Sequence, residues 1–359
     1  MVEAAKKSRA GEGEVRQGET FDAAAVDAWL KGIVPDLGGT PEVTQFHGGA
    51  SNWTYRLRYP AHDLILRRAP AGTRSRGAHD MEREFRILQA LKPHVPEVPA
   101  VIGHCNDSGV IGSEFYVMQR IDGVIPRTRL PEAWAGDKAA VGRMCHAFVA
   151  RWAALHKVDV EGAGLGWLHR GPGYAKRQVA GWSERYQRAR TWNVPTFAKV
   201  QAWLAERAPE DAATQVIHND WRFDNLVFAH DDPGHIVGIL DWELATVGDP
   251  LMDLGSALAY WVHADDAWPM HVTRRQPTHV PGMLRREEVV ARWSDATGIP
   301  VRDWAFYEVF GLFRLAGIAQ QIYYRFHHKQ TRNPAFRNLW IFINYFDWRC
   351  RGIMRRAPS

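Results

Sequence analysis

Apolar and polar positions change their period about a third of the way along this 359-residue chain. Before Gly123 the pattern is dominated by short alternating runs. Val43-Thr-Gln-Phe-His and Trp53-Thr-Tyr-Arg-Leu-Arg-Tyr flank Gly48-Gly-Ala-Ser-Asn52, as two antiparallel strands joined by a flexible turn would. Leu64–Arg67 reads as a third strand, followed by a Pro/Gly/Arg-rich loop from Ala69 to Gly77. Ala100–Gly103 and Phe115–Gln119 read as further strands. Two stretches have helical spacing instead: Phe21–Val34, with Val26, Leu30 and Ile33 on one face, and Met81–Leu91, with Phe85, Leu88 and Leu91. Residues 1–19 are rich in Lys, Glu, Gly and Arg without periodicity, and a structureless tail is expected there.

Beyond Gly123 helical periodicity takes over, in Val141–His156, Val179–Ala189, Thr196–Arg207, Leu251–His263 and Phe306–His327. One interruption stands out. Leu226–Phe228 and Ile236–Leu240 are short apolar runs, and the Asp-Asp-Pro233-Gly234 between them is strong turn chemistry. A hairpin closing there would bring Asn225 and Asp241, equally far in sequence from Pro233, to its open end, with Asp220 one short loop upstream. Strands first and helices afterwards argue for an α+β chain with two lobes. The expected division is a tail (1–19), an antiparallel β-rich N-lobe (20–119), a hinge (120–123) and a larger helical C-lobe (124–359).

Composition narrows the class. A hydrophobic content of 46%, with 16 Trp, is that of a packed globular protein. Cys105, Cys145 and Cys350 are odd in number and widely spaced, which argues against a disulfide framework and for a reducing cytoplasm. No apolar run approaches bilayer length, and the N-terminus lacks a signal-like apolar core. A net charge of +5 is modest but uneven: residues 305–359 hold nine Lys/Arg against Glu308 and Asp347. That basic end suits an anionic small molecule or a solvated helix face. Without aromatic-interleaved binding motifs, neither a nucleic-acid nor a membrane partner is expected.

The order of parts resembles a known family. A Gly-rich hairpin, a basic strand residue, a helix Glu and a hinge are followed by His218-x-Asp220-x-x-x-x-Asn225 and the strand-end Asp241. This is similar to the protein-kinase-like fold in its small-molecule branch, the aminoglycoside phosphotransferase and choline kinase superfamily, over nearly the whole chain from Thr20. Leu66-Arg-Arg-Ala-Pro70 and Asp241-Trp-Glu-Leu-Ala-Thr-Val-Gly-Asp-Pro-Leu-Met-Asp-Leu-Gly255 resemble most closely the phosphotransferase domains associated with acyl-CoA dehydrogenases. The resemblance implies an ATP- and Mg²⁺-dependent kinase acting on an alcohol. Asp220 matches the carboxylate that orients the acceptor hydroxyl, His218 a loop-bracing histidine of the catalytic motif, and Asn225 and Asp241 the two Mg²⁺ ligands, hard oxygens for a hard ion. Trp242-Glu243 replaces the Phe-Gly of protein kinases, with Glu243 within possible reach of a second cation or a water. Asp249 and Asp253 are expected to cap or brace the next helix.

On the nucleotide side, Gly48, Gly49, Ser51 and Asn52 match a phosphate-covering turn, and Gln119 and Ile121 fall in the hinge that meets adenine. Arg67 stands where the superfamily generally has Lys, a planar fork in place of a point charge. Glu84 matches its helix partner, with Glu82 as a competitor. The acceptor is expected to face Asp220, and Arg314, Tyr324 and Arg325, with the His327–His328 pair, suit a carboxylate or a CoA phosphate better than a polycation. A hydroxy acid or its acyl-CoA ester is the expected substrate. An aminoglycoside-type antibiotic kinase is one alternative, and a nucleotide-binding pseudokinase, motivated by Arg67, is another.

Overall fold

A computed structural model of the chain describes residues 11–47, 52–70 and 80–358, and these fall into two compact units. The first holds the chain up to Asp122 together with Gly238–Leu244, and the second holds Gly123–Val237 with the chain from Ala245 onward. The partition is thus not sequential: a short segment that begins within the hairpin's second strand belongs with the β-rich unit.

The first unit is built on one antiparallel sheet. Its elements are β1 (Glu12–Gly13), α1 (Ala23–Lys31), β2 (Glu42–Phe46), β3 (Trp53–Arg58), β4 (Asp63–Arg68), α2 (Met81–Leu91), β5 (Val101–Cys105), α3 (Ser108–Ile111) and β6 (Phe115–Gln119). The strand order is β1-β2-β3-β4-β6-β5. Two-residue alternation in β4 sends Leu64, Leu66 and Arg68 to one face and Ile65 and Arg67 to the other. On the first face Leu64 and Leu66 join Tyr55, Leu57, Phe115 and the α1 residues Val26 and Leu30 in the core. Arg68 is buried there by lying 4.8 Å over the Trp53 ring while donating to the carbonyls of Glu19 (2.9 Å) and Thr20 (3.1 Å). On the other face Arg67 meets α2.

Two expectations are corrected here. Glu12–Gly13 lies inside the stretch expected to be structureless, yet it pairs with Gln45 and Phe46 of β2. An ion pair from Glu12 to buried Arg56 (3.1 Å) ties that strand down. Helix α1 ends at Lys31, three residues early, which leaves Ile33 exposed instead of in the core.

The second unit carries α4 (Glu132–Ala135), α5 (Lys138–Leu155), α6 (Tyr174–Ala189), α7 (Ala198–Arg207), β7 (Gln215–Ile217), β8 (Leu226–Phe228), the first half of β9 (Ile236–Ile239), β10 (Thr246–Gly248), α8 (Pro250–Leu258), α9 (Trp268–Thr273), α10 (Arg286–Thr297), α11 (Trp304–His327) and α12 (Leu339–Arg356). The expected hairpin forms. β8 pairs with β9, Ala229 N–H donates to His235 O (2.9 Å), and Asp232 caps the turn through Gly234 N–H (2.8 Å). A second ribbon pairs β7 with β10. Helices α8 and α11 cross backbone to backbone, because a Cβ at Gly311 would stand 2.0 Å from the Gly255 carbonyl oxygen. That crossing needs two glycines, and it brings the turns carrying Asp253 and Arg314 together.

Cys105, Cys145 and Cys350 are buried and unpaired. Among the described residues no helix is long and apolar enough to cross a membrane.

Asp249 opens α8 as its N-cap, accepting from Leu251 N–H (2.8 Å) and Ala212 N–H (3.2 Å). Burial pushes its pKa up to about 6; the charge of Asp211 adds to the rise, and the backbone N–H groups oppose it. A raised carboxyl contributes stability below its unfolded pKa and loses that contribution as pH climbs through the folded value. Between pH 4 and 8 the wild type should therefore lose about 1–3 kcal/mol relative to Asp249→Asn. Urea unfolding across that range measures the difference, and parallel profiles for the two proteins would contradict it.

Candidate active site

Each unit presents its own cluster of chemically active side chains. In the second unit the cluster grows from the end of β7. His218 is fully buried, and its Nδ1 accepts the Asp220 N–H at 3.3 Å. Asn219 takes a left-handed backbone, φ 63°, which Asn tolerates better than most residues. This turn is held by Asp253 of α8, a carboxylate with no exposed surface. Its Oδ2 accepts from His218 N–H (3.1 Å), Trp152 Nε1 (3.1 Å) and His156 Nε2 (3.1 Å), and its Oδ1 from Asn219 N–H (2.8 Å). The tautomer of His156 follows from its other partner. Trp293 Nε1 can only donate and does so to His156 Nδ1 (3.0 Å), so Nε2 carries the proton that faces Asp253. Burial alone would raise the Asp253 pKa, but the hydrogen bonds from His156 and Trp152 oppose it, and the carboxyl is held below its ordinary value.

Asp220 itself is engaged on both carboxylate oxygens. Arg222 Nε stands 3.0 Å from Oδ1, and Asn225 Nδ2 donates to Oδ2 (2.9 Å) and to the Asp220 carbonyl (2.9 Å). Both amide hydrogens of Asn225 are thus directed at Asp220, which turns its oxygen, the atom a hard cation takes, away from that residue. Arg222 lies 5.0 Å over the Tyr260 ring and also faces Asp224 (3.3 Å). Burial pushes the Asp224 carboxyl up, with the charge of Asp220 adding and Arg222 opposing. Phe223 N–H donates to the buried Gln276 side chain at 2.8 Å, fixing the far end of the loop.

In the first unit the cluster surrounds Arg67. Its guanidinium meets Glu84 Oε1 at 3.0 Å, Asp241 Oδ1 at 3.1 Å and Glu243 Oε2 at 3.4 Å. Glu84, on the buried face of α2, is the partner, while Glu82 is exposed. Burial pushes the Glu84 carboxyl up; Arg67 pulls it back and Asp241 adds to the rise. Asp241 follows β9 with φ 66° and keeps about a third of its side chain exposed, 35%. Glu243 Oε2 also accepts from Asn52 Nδ2 (2.9 Å). Three carboxylates around one guanidinium leave a net negative cluster, which suits a cation arriving with its own anionic ligand.

The remaining expected residues divide as follows. Gly48, Gly49 and Ser51 lie outside the described residues. Gln119 ends β6 and donates its N–H to Ala100 O (2.8 Å), and Arg120 N–H donates to Asp63 O (3.0 Å), so two hinge N–H groups are spent inside the sheet. Ile121 follows, half-buried. Arg314 is buried against the turn at Asn219, Tyr324 is half-buried with its ring centroid 4.2 Å from that of His328 at a tilt, and Arg325 is exposed. Arg222 was not anticipated. Its signal was a basic residue between two carboxylates, Asp220 and Asp224, in one loop.

Taken by donor chemistry alone, the Asn225 amide oxygen and the Asp241 carboxylate, one in each unit, are of the hard-oxygen type that Mg²⁺ takes, with no sulfur or imidazole. Among the described residues no group of three or more His, Cys, Asp or Glu side chains is arranged to hold a metal ion.

Residues 42–308 match the model of the phosphotransferase enzyme family. The chain belongs to that family. It is 34% identical over 316 residues to acyl-CoA dehydrogenase family member 10 of Mus musculus, covering 87% of this chain and 29% of that protein. It is 32% identical over 324 residues to acyl-CoA dehydrogenase family member 11 of Homo sapiens, covering 87% of this chain and 40% of that protein. The chain therefore spans less than half the length of these relatives. Among solved structures it is similar to a Ralstonia eutropha protein provisionally assigned as an aminoglycoside phosphotransferase, at TM-score 0.80 and 27% identity, covering 95% of this chain and 100% of that one. The kinase-like fold is shared also with an aminoglycoside phosphotransferase solved with AMP-PNP and hygromycin B, at TM-score 0.55 and 14% identity, covering 92% and 98%.

The Arg67–Glu84 pair gives a direct stability test. Arg67→Met leaves Glu84, 2% exposed, without its cation and should cost about 3–5 kcal/mol in urea unfolding. Adding Glu84→Gln should recover most of that loss. Unchanged stability in the single variant would show that the pair does not hold α2 to the sheet.

Proposed function

We propose that this chain is an ATP- and Mg²⁺-dependent kinase that phosphorylates a hydroxyl of a small anionic molecule, a hydroxy acid or its acyl-CoA ester. The observation that carries the kinase reading is the braced loop. Asp253 fixes the backbone before Asp220, and Arg222 and Asn225 fix its carboxylate, inside a chain that belongs to the phosphotransferase family. The substrate class is supported by the mouse and human relatives, which bear acyl-CoA dehydrogenase names over a much longer chain.

In this reading Asp220 accepts the proton of the acceptor hydroxyl as the oxygen forms its bond to the γ-phosphorus, while the bond from that phosphorus to the β-phosphate oxygen breaks and leaves ADP. Asn225 and Asp241 would hold Mg²⁺, which would supply neutralisation of charge on the phosphates. Arg67 binds the nucleotide phosphates and is kept in place by Glu84, with Gly48, Gly49, Ser51 and Asn52 as further phosphate-binding residues. Adenine meets the hinge at the Gln119 carbonyl and the Ile121 backbone. Arg325 and Tyr324 are the acceptor-facing residues on α11. His218 braces the loop and takes no proton. The setting is cytoplasmic.

The pseudokinase reading rests on one specific feature, Arg67 in the usual Lys position. It keeps the two contacts that matter, to Glu84 and to Asp241, so an adapted enzyme is the better account.

The test is an ADP-release screen with ATP and GTP over hydroxy acids, their CoA esters, aminoglycosides and amino alcohols. Turnover with the acids or esters is expected. Turnover confined to aminoglycosides would replace the substrate class, and nucleotide binding without transfer to any acceptor would favour the pseudokinase. Asp220→Ala should abolish turnover while nucleotide affinity stays within about threefold, and Asp241→Ala should remove the Mg²⁺-dependent part of nucleotide binding. Normal turnover in either variant contradicts the role given to it.

A further inference from the structure

We propose that Arg314 is a positioning residue for Asp220, setting the direction of its carboxylate through the peptide that precedes it; the inference rests on the kinase reading above. Arg314 lies one turn past Gly311 on α11, where that helix crosses α8 in backbone contact at Gly255. The crossing delivers the side chain to the catalytic turn. The guanidinium is buried, 6% exposed, lies 5.4 Å over the Trp182 ring of α6, and donates through Nη2 to the Asn219 carbonyl oxygen at 2.9 Å.

That carbonyl and the Asp220 N–H belong to one planar peptide. Arg314 holds the plane at its oxygen, and His218 Nδ1 accepts at its nitrogen over 3.3 Å, the longer of the two bonds. On the other side of the Asn219 α-carbon, Asp253 takes the Asn219 N–H at 2.8 Å, and Tyr174 donates its hydroxyl to the Asn219 side chain at 3.3 Å. The residue so gripped sits at φ 63°, a conformation that relaxes toward negative φ once a restraint is lost. Rotating this peptide swings the Asp220 carboxylate away from Arg222 and Asn225. Arg314 therefore supplies the charge-assisted end of the grip, and its buried charge is committed to the loop instead of to an incoming anion.

The experiment uses the full chain with Arg314→Met and Arg314→Lys and three readouts: melting temperature, amide hydrogen exchange at residues 218–222, and kcat with KM for whichever acceptor the screen returns. Arg314→Met should exchange the Asp220 amide at least about tenfold faster at a melting temperature that still leaves the chain folded. Its kcat should fall about 10–100-fold while KM for the acceptor stays within about twofold. Arg314→Lys, which keeps a buried cation and a donor, should fall between Met and wild type on both counts. It carries the test alone if the Met variant does not fold. Unchanged exchange at Asp220 in the folded variants overturns the inference whether or not an acceptor is known, and so does a raised KM with unchanged kcat, which would make Arg314 an acceptor ligand. A wild type that transfers phosphate to nothing sinks the kinase reading, while the exchange result still decides Arg314.

Discussion

One buried carboxylate organises the helical unit. Asp253 has no exposed surface, yet its two oxygens collect two backbone N–H groups, an indole and an imidazole. A bare charge in that position would be prohibitive, and four donors are what make it tolerable. The same four bonds join parts far apart in sequence: α5 through Trp152 and His156, α10 through Trp293 behind His156, and the turn at His218–Asn219. The loop that carries Asp220 and Asn225 therefore inherits its shape from the core. This is the arrangement phosphoryl transfer asks of a protein, since the chemistry is mostly one of position.

The β-rich unit solves a related problem with the opposite sign. Period-two alternation forces Arg67 and Arg68 onto different faces of β4. Arg68 is absorbed by aromatic rings and carbonyls in the α1 core. Arg67 meets carboxylates instead, gathering Glu84, Asp241 and Glu243. Two adjacent arginines in one strand thus acquire structural and chemical roles from the pleat alone. A guanidinium has enough donors to serve more than one carboxylate at once.

Much of this was legible in the chain. Strands before Gly123, helices after it, the hairpin around Pro233 and the family all followed from hydrophobic period, turn residues and motif order. Boundaries were less so. Ile33 fits the helical spacing of α1 but falls past its end, because the chain turns at Gly32. Glu12–Gly13 carries no strand signal; it is recruited by the free edge of β2 and by Arg56, a tertiary effect outside any local window. Asp220 and Asn225 of the proposed site could be named from the sequence because the chemistry asks for those residue types, whereas a residue that acts through distant contacts gives no local signal. Asp253 read as a helix brace, with nothing local to show that it binds the turn at His218–Asn219. Arg314 read as a residue facing an anionic acceptor, because the glycine crossing that turns it inward involves Gly255, far away in sequence.

The central claim is that the Asp253 carboxylate, by accepting on both oxygens, dictates the conformation of the turn before Asp220. A crystal structure of the Asp253→Asn variant tests it most directly. Asparagine supplies one acceptor and puts an amide donor against one of four donors, so the His218–Asp220 segment should leave its present path and Asn219 should give up its positive φ. A turn that superposes on the wild type within about 0.5 Å, with Asn219 still left-handed, would contradict the account.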